Sequence, residues 1–196
     1  MTTVILKLSG KSLNNFFNEQ RWIEFIHSLK KEYDGLIIIH GGGNKISEWA
    51  NLIGCEVKFK NGQRITDEKM MEVVTAVQSG LLNTQIVNFL QTNNFNSIGL
   101  SGIARNLFIA EIIDEELGFV GYPIINGKID WIYNLLSEDV IPVFSSVCRD
   151  KSGNLINVNA DIFTESLATE LNDNTVLFLS DVDGVKLNNQ IKSFLD

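Results

Sequence analysis

Lys7 lies at the end of the apolar run Val4-Ile5-Leu6 and is followed by Leu8-Ser9-Gly10. An ammonium at the carboxyl end of a strand, beside a glycine, stands where open α/β sheets take ligands and can neutralise the oxygens of a transferring phosphoryl group. On its own it is equally a lysine reaching solvent from a strand end. The triplet Gly41-Gly42-Gly43 joins the apolar run Leu36 to His40 to a helical pattern. Consecutive glycines allow positive φ and let an anion approach the N–H groups of a helix start. A plain strand-to-helix turn needs only one, which favours the anion site. Neither GxGxxG nor GxxxxGK[ST] is present, so the mode of binding differs from both dinucleotide and P-loop motifs.

Arg64 follows the turn dipeptide Asn61-Gly62 and offers a fork that fits a carboxylate; taken alone, an ordinary surface arginine is the simpler reading. Asn157-Val158-Asn159-Ala160-Asp161 opens a helix. One of its polar residues is explained as a cap, but two amides and a carboxylate together suit a polar ligand and a neighbouring lysine. Ser180-Asp181-Val182-Asp183-Gly184 follows an apolar run and can meet a nucleotide, whereas Asp181 and Asp183 alone make a weak metal site. His40 reads as a hydrogen-bonding residue that fixes the glycine turn, not a general base, and His27 as a helix-surface residue.

These residues need a scaffold. The chain has 196 residues, 44% of them apolar, enough to bury a core, and its formal charge of −8 disfavours nucleic acid or an anionic membrane as partner. Cys55 and Cys148 lie far apart without CxxC spacing, which points to a reducing, cytoplasmic setting. Met1 to Gly10 lacks a basic region and a long apolar stretch, so it reads as a first strand and not a signal; no run approaches the roughly 18 apolar residues of a spanning helix. Continuous apolar runs at Val4 to Leu8, Leu36 to His40, Val140 to Ser145 and Thr175 to Ser180 predict strands buried on both faces. Between them, helical spacing over Leu13 to Tyr33, Asn44 to Ile53, Asp67 to Leu90 (Gly80 as a kink or close-packing point), Asp130 to Leu136 and Ala160 to Leu171 predicts crossover helices. Ser97 to Leu100 adds a short strand, while Glu56 to Ile65 and the pair Leu107 to Ile113 with Phe119 to Ile125 read as hairpins. No repeat or linker interrupts this α/β pattern.

In order and spacing, the motifs resemble the amino-acid kinase family, and within it the branch that phosphorylates N-acetyl-L-glutamate. The resemblance runs through Lys7 to Gly10, His40 to Gly43, Asn61 to Asp67, Gly99 to Gly102, Leu117 to Gly121, Asn157 to Asp161 and Leu179 to Gly184. It implies an αβα sandwich with a mainly parallel central sheet, of the amino-acid kinase and carbamate kinase-like type. It divides the chain into an amino-acid-binding and dimerisation lobe over 1–173 and the start of a nucleotide-binding lobe over 174–196, which is incomplete because the family's remaining nucleotide segment and second phosphate-binding lysine lie beyond the motifs present. By position it assigns Lys7, Gly10 and Asp161 to catalysis, with Lys7 on the phosphoryl group and Asp161 organising the lysine. Gly42, Gly43, Arg64, Asn157 and Ala160 are assigned to the acylated amino acid, and Ser180, Asp181 and Gly184 to the nucleotide. ATP is implied as co-substrate with Mg2+, in a cytoplasmic homodimer of the arginine pathway; because the first strand begins near Met1, no arginine-inhibited hexameric ring is expected.

Two departures bear on this. Ser9 stands where the family usually has a glycine, so that Lys-Leu-Ser-Gly also resembles the bacterial uridylate kinases, and Ile103-Ala104-Arg105 replaces an acidic-glycine pair. Other acceptors, another acyl-glutamate or uridylate, and a non-catalytic protein that binds or senses an acyl-amino-acid are the alternatives.

Overall fold

The computed structural model describes residues 1–10, 13, 20–179, 185–187 and 190–192. In chain order the first elements are β1 (Thr3–Leu8), α1 (Gln20–Glu32), β2 (Gly35–His40), α2 (Gly43–Leu52), and the short strands β3 (Phe59–Lys60) and β4 (Gln63–Arg64). One continuous helix follows, made of α3 (Glu68–Val74), a π-helical segment (Thr75–Leu82) and α4 (Asn83–Thr92). Then come β5 (Ser97–Ser101), β6 (Phe108–Ile112), β7 (Val120–Ile125), α5 (Asp130–Ser137), β8 (Ile141–Ser145), β9 (Val147–Arg149) and β10 (Leu155–Val158). The chain continues through α6 (Ala160–Glu170), β11 (Asn174–Leu179), β12 (Val185–Leu187) and β13 (Gln190–Lys192).

The apolar runs form a five-stranded, all-parallel sheet in the order β11-β1-β2-β8-β5. Alternate residues of β1 and β2 feed two cores. Val4, Leu6, Leu8, Leu36 and Ile38 pack with α1, α2 and the long helix, whereas Ile5, Ile37 and Ile39 pack with α5 and α6. Because both faces are covered, the strands read as continuous apolar runs and not as alternation. This is the expected αβα sandwich. Its register brings Leu8, His40, Ser145, Ser101 and Leu179 level at the carboxyl edge of the sheet, the edge where such sheets bind ligands. Among the described residues no helix is long and apolar enough to cross a membrane.

The predicted second hairpin is present, with β6 antiparallel to β7, but it closes with β9 and β10 into a small barrel that the sequence did not reveal. Only Ser146 separates β8 from β9, so the chain passes directly from sheet to barrel there. From β10 it turns through Asn159 into α6, whose cap Asn159 accepts hydrogen bonds from the N–H of Asp161 at 2.7 Å and of Ile162 at 3.4 Å. The first hairpin turns as its Asn-Gly dipeptide demands, with φ of +51° at Asn61 and +79° at Gly62.

Thr66 ties this hairpin to the barrel. Its N–H donates to Leu117 O at 2.8 Å and its carbonyl accepts from Phe119 N–H at 2.7 Å. Gly118 sits between them with φ of +71°, and an added β-carbon would lie 2.4 Å from Thr66 O. Gly118→Ala is therefore expected to destabilise the protein by about 3 kcal/mol or more, from left-handed strain plus a backbone clash. Gly153→Ala, at φ of +93° in open space, meets only the strain and should lose about 1–2 kcal/mol. Urea unfolding of the two variants measures the difference.

Candidate active site

The glycine turn lies where β2 ends and α2 begins. None of Gly41, Gly42 and Gly43 has positive φ, in contrast to Gly54, Gly62, Gly118 and Gly153. The expectation of left-handed backbone is thus corrected, and at Gly42 the absence of a side chain is what the packing requires. A β-carbon on Gly42 would lie 3.0 Å from Leu82 Cδ1 and 3.2 Å from Ile46 Cδ1, and one on Gly41 would lie 3.6 Å from Ala160 Cβ, whereas Gly43 faces open space. A β-carbon on Gly10 would stand 3.6 Å from the nitrogens of both Gly43 and Asn44. Gly10 therefore sits against the first N–H groups of α2, whose free hydrogens and dipole favour an anion.

Lys7 and Asp161 meet across the sheet edge, Nζ to Oδ1 at 2.5 Å, with side chains 13% and 55% exposed. The half-open carboxylate makes the pair a modest source of stability. Its effect is to hold the ammonium in place at the end of β1, with the ring centre of Phe178 6.0 Å away.

Arg64 is buried, which overturns the reading of it as a surface residue. Its Nη2 donates to Gly43 O and Ser47 Oγ, both at 2.8 Å, and its guanidinium lies 4.8 Å from the Phe59 ring centre. Its Nη1 is buried without a hydrogen-bond partner. No carboxylate pairs with Arg64 among the described residues, and burial lowers the guanidinium pKa from its ordinary value. A cation taken out of water without a counter-charge is unfavourable unless an anion joins it.

A cavity of about 190 Å³ opens beside Arg64 and gathers Gly42, Gly43, Arg64, Asn157 and Ala160 in one wall. Asn157 Nδ2 donates to Thr66 Oγ1 at 3.1 Å, which links β10 to the hairpin behind Arg64. Lys7, Gly10 and Asp161 lie outside this lining. Asp161 is the direct neighbour of Ala160, and Gly10 stands against Gly43. Ser180, Asp181 and Gly184 lie outside the described residues.

Beneath the cavity is a polar network that sequence reasoning missed. The π-helical segment and the first residue of α4 turn Gln78, Ser79 and Asn83 toward the sheet edge. Gln78 Nε2 donates to His40 O at 3.2 Å and Ser146 Oγ at 2.8 Å; Ser79 and Ser145 share a hydrogen bond of 2.7 Å; Asn83 Nδ2 donates to Val143 O at 2.9 Å. A signal existed. Gln78 falls between Val77 and Leu82 on the buried side of the helix, and a polar residue in an apolar stripe needs a partner. Gly80, expected to kink the helix or pack closely, is exposed and meets only Thr75 O at 3.9 Å.

His40 is fully buried within this network. Asn83 Nδ2 lies 3.1 Å from its Nε2, which must accept, so Nδ1 carries the hydrogen and donates to Gly41 O at 2.9 Å. The imidazole is a neutral brace for the glycine turn, and burial lowers its pKa from 6.5 to about 4. The unfolded chain therefore takes up the proton first as pH falls. The stability that neutral His40 contributes is complete above pH 6.5 and is lost between pH 6.5 and 4, up to about 3 kcal/mol. Asp34, Asp114 and Asp150 have pKa values lowered from 3.8 by their hydrogen bonds, so their losses come at lower pH. Urea unfolding across pH 4 to 6.5 should show a steep fall in the wild type and a shallower one in His40→Gln.

A family model described as the amino acid kinase family matches residues 2–193. Among curated relatives, an acetylglutamate kinase of Campylobacter hominis is 40% identical over 151 residues, covering 76% of this chain and 53% of its own. One of Staphylococcus saprophyticus is 35% identical, covering 100% of this chain and 76% of its own. The chain thus spans about half to three quarters of the length of these relatives. In fold it is similar to smu.665 from Streptococcus mutans, with a TM-score of 0.86 at 24% identity over 96% of this chain and 76% of that one. An N-acetylglutamate synthase from Neisseria gonorrhoeae superposes with a TM-score of 0.75 at 19% identity over 97% and 44%. With the family model spanning nearly the whole chain and the sheet, glycine turn and Lys7–Asp161 pair arranged as described, this chain belongs to the amino acid kinase family.

Proposed function

We propose that this chain transfers the γ-phosphoryl group of ATP to the side-chain carboxylate of N-acetyl-L-glutamate, in arginine biosynthesis. The observation that carries the reading is Arg64, a buried cation with an unsatisfied Nη1 and no counter-charge among the described residues, in the wall of a cavity bounded by the glycine turn. A ligand with two carboxylates suits both ends of that wall: the α-carboxylate takes Arg64 and Asn157, and the side-chain carboxylate takes the N–H groups around Gly42 and Gly43. The similarity to relatives named acetylglutamate kinase supports the same acceptor.

In the proposed reaction a carboxylate oxygen attacks the γ-phosphorus, the bond from that phosphorus to the β–γ bridging oxygen breaks, and an acyl phosphate and ADP form. Such transfer needs positioned reactants and charge stabilisation, and no protein nucleophile. Lys7 supplies positive charge, Gly10 and Gly42 supply N–H donors, and Asp161 holds the lysine. Residues 1–173 serve as the amino-acid-binding lobe and 174–196 begin the nucleotide lobe, in which Ser180, Asp181 and Gly184 meet ATP. Among the described residues no group of three or more His, Cys, Asp or Glu side chains comes together to hold a metal. Mg2+, typical of kinases, would neutralise the phosphates of ATP. A cytoplasmic homodimer is part of the proposal; among the described residues β5 is an edge strand of the sheet, with Ile98 39% exposed, which gives a second copy a surface to meet.

The test is ADP release with N-acetyl-L-glutamate, L-glutamate and UMP as acceptors, with hydroxylamine added to trap the acyl phosphate as a hydroxamate. Release and hydroxamate with N-acetyl-L-glutamate alone support the proposal. Release only with UMP contradicts it. Saturable N-acetyl-L-glutamate binding without turnover shows a binding protein instead.

A further inference from the structure

Gln78 is 2% exposed, yet it belongs to the cavity wall. Its amide is held in one orientation. Both Nε2 hydrogens are used, on His40 O at 3.2 Å and Ser146 Oγ at 2.8 Å. Turning the amide over would set Oε1 against the His40 carbonyl oxygen, acceptor against acceptor. Ser146 is committed as well, since its hydroxyl donates to Val158 O at 2.7 Å. Oε1 accepts no hydrogen bond from the described residues, and Gln78 lines the cavity. That oxygen is the side-chain polar atom of Gln78 left to meet a ligand there.

The rest of that wall is rich in donors: the Arg64 guanidinium, the N–H groups of the glycine turn and the start of α6. Carboxylates satisfy donors and do nothing for an acceptor. An N-acylated amino acid has one further polar group of the right sign, its amide N–H. We infer that Gln78 reads acylation: its Oε1 accepts the amide N–H of the bound acyl-amino-acid and makes the site selective for a secondary amide over an ester of the same shape. The inference rests on the acceptor proposed above. It also gives the π-helical segment a purpose. The wider turn aims Gln78 at the sheet edge, where π-helical insertions often serve function.

The experiment compares N-acetyl-L-glutamate with its ester analogue, O-acetyl-2-hydroxyglutarate of the same configuration, by calorimetry on the full chain. The ester replaces N–H by oxygen, leaves Oε1 unpaired and sets two acceptors face to face. The wild type should bind it about tenfold more weakly or worse. In Gln78→Met, with folding checked by circular dichroism, the two ligands should bind alike, because neither gains or loses a hydrogen bond there. A general loss of packing would weaken both ligands together and leave their ratio unchanged. Equal binding of the two by the wild type overturns the inference without any variant, and so does a folded Gln78→Met that keeps the wild-type ratio. Absence of any Arg64-dependent binding of N-acetyl-L-glutamate would overturn the proposed acceptor and this inference with it. That outcome is distinct, since the amide would then fail as the ester does.

Discussion

Lys7→Ala is expected to lower turnover about a thousandfold while leaving affinity for N-acetyl-L-glutamate within about twofold. The asymmetry follows from where the ammonium stands. Lys7 is next to last in β1, is 13% exposed and is pinned to Asp161, while the cavity beside Arg64 is lined by other residues. In the proposed reaction its charge acts on the group in transfer and little on the bound acceptor. A purely structural role, in which Lys7 only neutralises Asp161, predicts something else: Lys7→Ala combined with Asp161→Asn would recover the lost rate. No recovery is expected. Lys7→Arg should restore a small part, because the bulkier planar cation cannot occupy the position of the compact ammonium. Single-turnover kinetics alongside calorimetric binding separates the two effects.

Arg64→Ala should act in the opposite way, weakening N-acetyl-L-glutamate binding about a hundredfold, in keeping with the loss of one partner of a buried charged hydrogen bond. Without ligand the same variant should unfold at nearly the wild-type temperature. The wild-type site buries a cation that lacks a counter-charge among the described residues and leaves Nη1 unpartnered, so removing it relieves desolvation as it removes the bonds to Gly43 O and Ser47 Oγ. The ligand-induced rise in melting temperature should vanish. A variant that melts low and still binds well would assign Arg64 to the fold. Arg64→Lys should bind weakly, since one ammonium cannot serve Gly43, Ser47 and a carboxylate as a planar fork does.

Much of the scaffold was readable because local rules decide it. Leu36 to Ile39 is a continuous β-branched and leucine run, and it is buried throughout in β2. Asp67 caps its helix through Met70 N–H at 2.8 Å, and Asn159 caps α6, as their side chains prefer. What remained hidden depends on distant partners. Strands β9 and β10 are three and four residues long, and their pairing with β6 and β7 has no local signature. Arg64 follows a polar turn in sequence, yet the bridge from Thr66 to Gly118 folds it inward beneath Phe59. The π-helical segment shifts Gln78 into the site through hydrogen bonding of the backbone, which composition does not announce. The Gly41 to Gly43 turn was legible by residue type. Positive φ, one of the freedoms glycine offers, is not used there, and Gly42 instead leaves room for Leu82 and Ile46.

On the proposed function, the cavity beside Arg64 and the glycine turn holds an N-acylated acidic amino acid. Calorimetric titration of the 196-residue chain with N-acetyl-L-glutamate, repeated with L-glutamate and with Arg64→Ala, tests it most directly. One site per chain for N-acetyl-L-glutamate, much weaker binding of L-glutamate, and loss of the signal in Arg64→Ala are expected. Equal affinity for the two ligands, or undiminished binding by Arg64→Ala, would contradict it.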